Sequence, residues 1–501
     1  MPPFFENPGR HAGGAILPMK SLDPKTVVLL GVPFHDVTMA ETLDEIDAIV
    51  ADRTPRYLAT ANLDFAAQAS TDVELQRILL DAHLVLCDGT PLIWASRWLG
   101  VPLRERVAGS DLTPKLAERA AARGHRLFFL GSDEAVLKLA QKTFEERYPG
   151  LQVCGVYSPP YAKLLDLDHD EIASRIQAAK PDIVLVALGA PKQEKWIYMH
   201  YRKLGAPLCI GIGASLDFVA GKFSRAPVWM QRTGLEWVHR LSQEPRRLFM
   251  RYWTDFRFFI RALREHRRLL QRSVAPLSAP PQAGRWPGIA SYEWIGRADA
   301  AAVESGALPE PAPQTGRVHV VADLSGVTFI DSAGLGLLLK AFKRCKEAGG
   351  GLVIVRPSEV VRELLAVSKL DRLLPRAESA EEANRLIYLD RVETRTSAEH
   401  DRRNHRVIFR CLGELNAANS DDFREMVQAK WEQEAAATIL EIDFSRVDFI
   451  DSSGLGCLIR ARRLVETREG AALKLTGVND NLRNVITLAH LDGVLGLAKA
   501  S

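Results

Sequence analysis

The chain has 501 residues, too many for one hydrophobic core, so we expect about two to four domains. Of its residues 47% are hydrophobic and 25% are charged, which excludes a mainly disordered or collagen-like chain. The formal net charge of +3 does not single out a class of partner.

The cysteines and the apolar runs indicate where the protein works. Its six cysteines are dispersed, with no Cys-x-x-Cys or Cys/His spacing that would build a zinc site, which favours a reduced, cytosolic protein. The first residues, MPPFFENPGRHAGGAILPMK, lack the apolar segment and cleavage site of a signal peptide. Because no run of about 18 apolar residues occurs, we expect no membrane-spanning segment.

Short apolar runs alternate with helical patterns between Lys25 and about Leu216. Such runs are typical of buried parallel strands in an α/β domain. The runs are TVVLLGV, RYLAT, HLVLCD, RLFFLG, DIVLVALG and PLCIGIG. Polar or glycine-rich turns follow them, at residues 60–62, 88–90, 131–132, 189–191 and 213–215. Since ligands bind beyond the carboxyl ends of strands in open α/β sheets, these turns predict one crevice and an enzyme.

Two of these turns carry candidate site residues. Asp88 ends a strand and places a carboxylate in the predicted crevice, as a base would require; the alternative is a helix cap or a turn. In GAPKQEKW, residues 189–196, Gly189 precedes Lys192 and Gln193 at a helix start. Free amides at a helix start suit phosphate or sugar hydroxyls, although an ordinary strand-to-helix turn explains the pattern equally well.

Two other motifs point to different enzymes and are weaker. DLDHD, residues 166–170, has the aspartate spacing of a metal-dependent glycosyltransferase, but no apolar strand precedes it, which favours a solvated helix start. GIGASL, residues 211–216, lacks the third glycine of a dinucleotide-binding fingerprint. A dehydrogenase is therefore the second enzymatic interpretation of the residues alone.

The ordered motifs of this region resemble the WecG/TagA/CpsF family of bacterial glycosyltransferases, and the resemblance runs from about residue 20 to residue 265. The motifs are GVPFHDVTMAETL (31–43), TAN (60–62), CDGTPL (87–92), RVAGSDL (106–112), GAPKQEKW, GIGASLDFVAGKFSRAPVWMQRTGLEWVHRL (211–241) and EPRRLFMRY (244–252). Members of this family pass N-acetylmannosamine-type or related sugars from UDP to lipid-linked acceptors.

The resemblance implies an inverting transfer that needs no metal and no cofactor, with a UDP-sugar as donor substrate and a polyprenyl-diphosphate-linked acceptor. Asp88 would be the general base that takes the proton of the acceptor hydroxyl. Arg106 would offset the charge on departing UDP, although alone it reads as a surface charge, and Asp217 is equally well a helix cap. The predicted donor-sugar and UDP positions are Thr60, Asn62, Arg106, Gly131, Gly189, Lys192, Gln193 and Asp217.

An arginine-rich segment follows: Arg225 to Arg272 contains 12 Arg and no Lys against 4 acidic residues. Apolar residues recur there at three- and four-residue steps from Pro245 onwards, which predicts an amphipathic basic helix. Packing on its own domain and binding to an anionic membrane surface are the open interpretations, and a nucleic-acid surface is disfavoured because no such motif accompanies it. The resemblance implies membrane and acceptor binding, and we select Arg240, Arg247 and Arg251 for the acceptor diphosphate.

A duplicated unit fills the rest of the chain. After the Pro-, Ala- and Gly-rich stretch SVAPLSAPPQAGRWPG, which is typical of a linker, FIDSAGLG at 329–336 recurs as FIDSSGLG at 449–456. The flanking sequences also match at an offset of 120 residues, in the order strand, turn, helix, strand. Two copies separated by one linker-like stretch, at about 388 to 404, indicate two small domains rather than a solenoid.

Both copies resemble STAS domains, the fold of anti-sigma-factor antagonists and of sulphate-transporter tails. The second copy is the fuller match, and its Ser453 occupies the phosphate-acceptor position of regulated members. A phosphate there would meet helix-start amides and add about two negative charges to a docking face. The first copy carries Ala333 instead, and its opening SYEWIGRADAAAVESG departs from the pattern. We expect one switchable and one fixed copy, unless the serines only form turns.

The expected architecture is α/β throughout, with a parallel-sheet glycosyltransferase domain at 20–271, a linker at 272–288, a degenerate STAS-like domain at 289–387 and a STAS domain at 404–498. We expect a cytoplasmic enzyme, peripheral on the inner face of the cell membrane, that acts in cell-surface or exopolysaccharide synthesis. The alternative is a STAS-based signalling scaffold whose front domain binds a nucleotide sugar but does not catalyse transfer. Expected partners are the UDP-sugar, the lipid-linked acceptor, anionic membrane, a kinase or anti-sigma-like protein and a second copy of the chain, and not nucleic acid.

Overall fold

The computed structural model describes residues 23–227, 229–230, 235–270, 289–314, 318–379, 382–383, 386–387, 397–401, 404–489, 491–495 and 497. The predicted linker at 272–288 lies outside the described residues, as do residues 388–396 of the stretch between the two copies. We call residues 23–270 the front domain, 289–387 the middle domain and 397–497 the rear domain.

The front domain is built on a six-stranded parallel sheet with the strand order β4-β3-β8-β7-β5-β6. Its interior strands are almost wholly buried and apolar, so the α/β prediction is confirmed. The front-domain strands are β1 (Thr26–Leu29), β2 (Val32–His35), β3 (Arg56–Ala61), β4 (Leu84–Cys87), β5 (Arg126–Gly131), β6 (Gln152–Tyr157), β7 (Ile183–Ala187) and β8 (Leu208–Gly211).

The first apolar run, TVVLLGV, does not join this sheet, so its assignment as a parallel strand was wrong. It forms the antiparallel hairpin β1–β2 instead. Leu30 and Gly31 adopt φ angles of 52° and 84°, which reverse the chain in the middle of the run. Apolar periodicity alone cannot separate one buried strand from two short strands joined by a tight turn.

Helices cover both faces of the six-stranded sheet, and the sheet separates the apolar core into two layers. Asp168 caps one of these helices by accepting a hydrogen bond from the Glu171 amide, so the interpretation of DLDHD as a helix start is confirmed. The helices are α1 (Met39–Asp52), α2 (Leu63–Ala69), α3 (Val73–Asp81), α4 (Thr90–Trp98), α5 (Gly109–Arg123), α6 (Glu134–Arg147), α7 (His169–Ala179), α8 (Lys192–His200) and α9 (Ser215–Val219).

The arginine-rich segment forms α10 (Glu236–Gln243) and the long α11 (Pro245–Leu270), which confirms the predicted helix. One face of α11 packs on the protein, where Leu248 and His266 are buried and Phe259 contacts the front-domain core. Another face is exposed and carries large apolar side chains. We call this set the aromatic face: Phe249, Met250, Trp253 and Phe256.

The two copies of the repeat share three parallel strands, β9-β10-β11 in the middle domain and β14-β15-β16 in the rear domain. The fourth strand lies at opposite edges of the two sheets: β12 pairs in parallel with β11, whereas β13 pairs antiparallel with β14. The middle domain contains β9 (Ile289–Ala298), α12 (Ala300–Glu304), β10 (His319–Ile330), α13 (Ser332–Glu347), β11 (Leu352–Val355), α14 (Glu359–Val367) and β12 (Arg376–Ala377). The rear domain contains β13 (Ser397–Asp401), β14 (Arg406–Leu415), α15 (Ser420–Gln433), β15 (Ile439–Ile450), α16 (Ser452–Glu466), β16 (Ala472–Thr476) and α17 (Asp480–Leu488).

The divergent opening of the middle domain still forms the expected strand. β9 pairs in parallel with β10, as β14 pairs with β15, and both pairs contain register shifts after their fifth partners. In each copy an aspartate, Asp331 or Asp451, accepts hydrogen bonds from two amides of the helix that follows it. The backbone pattern therefore persists where the side chains have changed.

Candidate active site

Asp88 lies directly after β4, at the carboxyl edge of the sheet. Its amide donates to the Ala61 carbonyl of β3, and its carboxylate accepts a hydrogen bond from the Gly109 amide at 3.2 Å. Asp88 is partly buried and keeps some contact with solvent. Burial raises the pKa of Asp88 to about 6, although the Gly109 amide and the charge of Arg106 act to lower it. A carboxylate of this kind is ionised at neutral pH and close to the pKa that suits a general base.

A continuous row of contacts leads from Asp88 across the sheet. A Cβ on Gly109 would lie 3.3 Å from Thr60 Oγ1, and that hydroxyl donates to the Gly211 carbonyl of β8 at 2.9 Å. A Cβ on Gly211 would in turn lie 2.8 Å from Nε2 of Gln193. Glycine at these two positions therefore allows Asp88, Thr60 and Gln193 to lie in one row at the carboxyl edge of the sheet.

Asn62 stands beside Asp88 but uses its side chain locally. Its Oδ1 accepts a hydrogen bond from the Phe65 amide at 3.3 Å and caps α2. A Cβ on Gly89 would lie 3.7 Å from Asn62 Cβ, so the turns after β3 and β4 are in contact. The Asn62 side chain is thereby held at the turn next to Asp88.

Arg106 belongs to a cluster of four charges near Asp88. It donates to Asp111 at 2.8 Å and to Glu236 of α10 at 3.3 Å. Arg225 donates to the same Asp111 carboxylate at 2.7 Å. Two guanidinium groups thus converge beside the predicted base, and the link to α10 joins the arginine-rich segment to the site. Guanidinium groups held this way suit a diphosphate.

Gln193 and its neighbour Glu194 are both buried at the start of α8. Gln193 Oε1 accepts from the Gly213 amide at 3.2 Å, and its Nε2 donates to Glu194 Oε1 at 2.6 Å. The other Glu194 oxygen has no hydrogen-bond partner within the described part of the chain. Burial raises the pKa of Glu194 to about 7. Glu194 lies within GAPKQEKW, residues 189–196, but nothing in the sequence pattern distinguishes it from a surface glutamate.

The remaining predicted donor residues extend along the same edge of the sheet. Gly131 adopts a φ of 96°, and a side chain there would collide with the backbone of Ala187. Asp217 is buried and accepts from Ser132 Oγ at 3.2 Å rather than capping a helix. Gly189, with a φ of 81°, lies in the turn between β7 and α8.

Lys192 turns away from Gln193. Its ammonium group donates to the Ala162 carbonyl at 2.7 Å and lies 5.6 Å from the Tyr161 ring centroid. Burial lowers the pKa of Lys192. Of the two residues at the start of α8, only Gln193 therefore continues the row of contacts that begins at Asp88 and runs through Thr60.

The arginines selected for the acceptor diphosphate have different neighbours. Arg240 of α10 lies 5.4 Å from the Phe218 ring centroid, next to Asp217. Arg251 of α11 forms an ion pair with Asp64 of α2 at 2.6 Å. The side chain of Arg247 lies outside the described residues. Arg225 was not among the residues selected from the sequence. Unlike Arg240 and Arg251, it shares a hydrogen-bond partner, Asp111, with Arg106.

Among the residues that the structure describes, no group of three or more His, Cys, Asp or Glu side chains is arranged to hold a metal ion. Within the same residues, no helix has both the length and the apolarity needed to cross a bilayer. The metal-independence of the reaction remains a prediction.

Comparison with known proteins follows the domain pattern. Residues 27–272 match the family model described as Glycosyl transferase WecG/TagA/CpsF family, and residues 270–383 and 396–500 each match the STAS domain model. Two curated relatives, from Staphylococcus aureus strains MW2 and NCTC 8325 / PS 47, are named N-acetylglucosaminyldiphosphoundecaprenol N-acetyl-beta-D-mannosaminyltransferase. The first is 29% identical over 224 residues, 44% of this chain and 86% of the relative. The second is 30% identical over 216 residues, 43% of this chain and 83% of the relative.

A solved structure of the anti-sigma factor antagonist SpoIIAA in its unphosphorylated form is 23% identical to part of this chain. It covers 21% of this chain and 100% of its own, with a TM-score of 0.17. The assignment of the two STAS domains is carried by the family model, at the residues where the structure has its two four-stranded sheets.

Proposed function

The chain belongs to the WecG/TagA/CpsF family and is a glycosyltransferase, and we propose that it transfers an N-acetylmannosamine-type sugar from a UDP-sugar to a polyprenyl-diphosphate-linked acceptor. The observation that carries the proposal is the row Asp88–Gly109–Thr60–Gly211–Gln193 at the carboxyl edge of the sheet. The names of the relatives supply the sugar and the lipid-linked acceptor.

Asp88 is the proposed general base. An acceptor hydroxyl is a weak nucleophile until a positioned base removes its proton, and the Asp88 carboxylate lies in the cleft with a pKa raised by burial to about 6. In the proposed reaction the hydroxyl oxygen attacks the anomeric carbon, its proton passes to Asp88, and the bond from that carbon to UDP breaks. Attack opposite the leaving group inverts the configuration.

Arg106 and Arg225 are the proposed stabilisers of the leaving group. Both are fixed by the Asp111 carboxylate, so their guanidinium groups are oriented before the substrate arrives. Fixed cations in a partly buried site stabilise charge that develops on a departing diphosphate more than mobile cations do. Thr60, Asn62, Gln193 and the turns at Gly131 and Gly189 are proposed to position the donor, with Asp217 and Lys192 at its far end. We propose that the reaction needs neither metal nor cofactor.

The aromatic face of α11 is the proposed membrane-binding surface. Trp253 and Phe256 are 51% and 53% exposed, and their rings stack at a centroid distance of 6.4 Å. Exposed aromatic side chains flanked by arginines combine apolar burial with attraction to anionic lipid. Through α10, which contacts Arg106, this surface is connected to the cleft, as a lipid-linked acceptor would require. We propose that Arg240, Arg247 and Arg251 contribute to holding the acceptor diphosphate.

We place the enzyme on the inner face of the bacterial cell membrane, in surface-polysaccharide synthesis, with the two STAS domains as its regulatory part. Assay of the purified full chain with UDP-N-acetylmannosamine and an N-acetylglucosaminyl-diphosphoryl-polyprenyl acceptor tests the activity. Transfer is expected with and without EDTA, and a panel of UDP-sugars should raise the unfolding temperature for the true donor. A chain that a UDP-sugar stabilises but that transfers no sugar would instead be the signalling scaffold, and a chain that no UDP-sugar stabilises would contradict both functions.

A further inference from the structure

The helix-start edge of the rear domain, residues 451–454, is docked on α3 of the front domain. The Glu74 carboxylate accepts two hydrogen bonds from Ser452, one from its amide at 2.7 Å and one from its hydroxyl at 2.8 Å. The amide is one of the free donors at the start of α16, where the helix dipole favours a negative group. Glu74 therefore acts as an anionic cap for a helix of another domain.

Further charges surround this contact. Lys195 of α8 forms ion pairs with Glu74 at 2.8 Å and with Asp72 at 2.7 Å. One turn further along α3, Arg77 donates to Glu414 of the rear domain at 2.7 Å, and its guanidinium lies 3.6 Å from the Phe449 ring centroid. The docking contact at α3 is thus a set of oriented, charged hydrogen bonds, and Leu165 of the front domain packs against the rear-domain core elsewhere.

Ser453 lies at the centre of the docked edge. Its side chain is 6% exposed, and its hydroxyl has no hydrogen-bond partner among the residues that the structure describes. The adjacent amides are already taken, because Asp451 accepts from both Ser453 and Gly454. A negative group at Ser453 would lie beside the Asp451 carboxylate, which accepts from the Ser453 amide, and one residue from Ser452, which the Glu74 carboxylate holds.

The equivalent edge of the middle domain is packed quite differently. A Cβ on Gly336 would collide with the Thr26 carbonyl of β1, whereas the equivalent Gly456 has 3.9 Å to its nearest neighbour. Ala333 is part of the front-domain core, and Val28 and Leu80 of the front domain are part of the middle-domain core. Ser332 meets His266, whose pKa is lowered to about 4 by burial, so that contact is uncharged at neutral pH.

We propose that Glu74 and residues 451–454 form a releasable clamp, closed by the helix-start hydrogen bonds and opened by negative charge at Ser453. The occupant of the rear-domain edge in the closed state is the front domain itself, so an external partner would have to compete with α3 for it. The middle domain is the permanent anchor, because apolar cores are shared across its interface. The rear domain is the part that moves.

The clamp also touches the helix of the candidate site. Lys195, which Glu74 holds, follows Gln193 and Glu194 on α8. Release of the rear domain removes both Ser452 hydrogen bonds from Glu74 and leaves Lys195 as the ion-pair partner of this carboxylate, which alters the contacts beside the start of α8. An effect on sugar transfer rests on the proposed function, whereas the clamp itself does not.

Hydrogen–deuterium exchange of the full-length protein tests the clamp without any activity assay. In Ser453→Asp, exchange of residues 73–81 and 449–456 is expected to rise about tenfold, the change expected when a hydrogen bond to a charged group is lost. In Ser453→Asn the new side chain has nearly the same size as aspartate but carries no charge, so exchange should stay within about threefold of the wild type. Peptides from β14, in the rear-domain core, report whether each variant is folded.

A second variant on the other side of the contact tests the role of charge independently. Glu74→Gln keeps an oxygen for Ser452 but removes the repulsion, so the double variant Glu74→Gln with Ser453→Asp should exchange more slowly than Ser453→Asp alone. Equal exchange in Ser453→Asp and the wild type would overturn the proposal. Equal opening by Ser453→Asp and Ser453→Asn would overturn it as well, because size rather than charge would then release the clamp.

Discussion

Gln193 Nε2 lies 2.6 Å from Glu194 Oε1, and the two buried side chains lie beneath Gly211. Burial raises the pKa of Glu194 to about 7, so this carboxyl group changes its charge near neutral pH. Below that pH the group is neutral, and above it a negative charge stands beside the proposed UDP site. The affinity for UDP should therefore fall as the pH rises.

This prediction is checked by calorimetric measurement of the UDP dissociation constant. Between about pH 6 and about pH 8 the wild-type constant should rise by about threefold to tenfold, since one ionisation is coupled to binding. Glu194→Gln keeps an oxygen for Gln193 and removes the ionisation, so its dissociation constant should vary less. Identical pH profiles in the two proteins would show that Glu194 is not near the bound nucleotide.

The two equivalent glycines of the repeat predict opposite responses to alanine. Gly336→Ala places a methyl group against the Thr26 carbonyl and should destabilise docking of the middle domain by about 2–4 kcal/mol. Gly456→Ala has room and gains helix propensity, so its effect should stay within about 1 kcal/mol. Thermal unfolding, with hydrogen exchange of β1 as the local reading, compares the pair. Equal effects at the two positions would contradict the distinction between a fixed and a releasable domain.

The aromatic face predicts binding to anionic vesicles. Replacing Trp253 and Phe256 together by serine should weaken sedimentation with such vesicles by at least about tenfold, because each aromatic ring buries apolar area in the interface. UDP binding should be retained. Leu139→Ser on α6, which removes a side chain that is 48% exposed, is the matched control. Deletion of α11 would be a poorer test, because the buried face of the helix would leave core residues uncovered.

Much of the fold followed from the sequence because parallel strands buried on both faces require continuous apolar runs. The turns after those runs indicated where the site lies, because the carboxyl ends of parallel strands meet at one edge of the sheet. The β1–β2 hairpin was missed since its reversal depends on the left-handed conformation of Leu30 and Gly31 inside one apolar run. The strand opening the middle domain was recognisable only from the backbone, because its side chains have diverged.

Other parts of the site depend on tertiary contacts that no local pattern shows. Glu194 becomes notable only when burial leaves one of its oxygens without a partner among the described residues. Arg225 becomes relevant because Asp111 brings it beside Arg106. The contact of Glu74 with Ser452 joins residues 378 positions apart, and neither residue stands out in its own segment.

The most direct test of the account is the transfer rate of Asp88→Asn beside its UDP affinity. The variant should fold and bind UDP as the wild type does, while kcat falls by about a hundredfold to ten-thousandfold, as expected when a general base is removed. Asp168→Asn serves as the control: asparagine still caps α7, which lies outside the candidate site, so this variant should transfer sugar normally. In the wild type, kcat/KM should decline as the pH falls below about 6, because Asp88 then becomes protonated. Undiminished transfer by Asp88→Asn would contradict the account, since the carboxylate on which the mechanism depends would then take no proton.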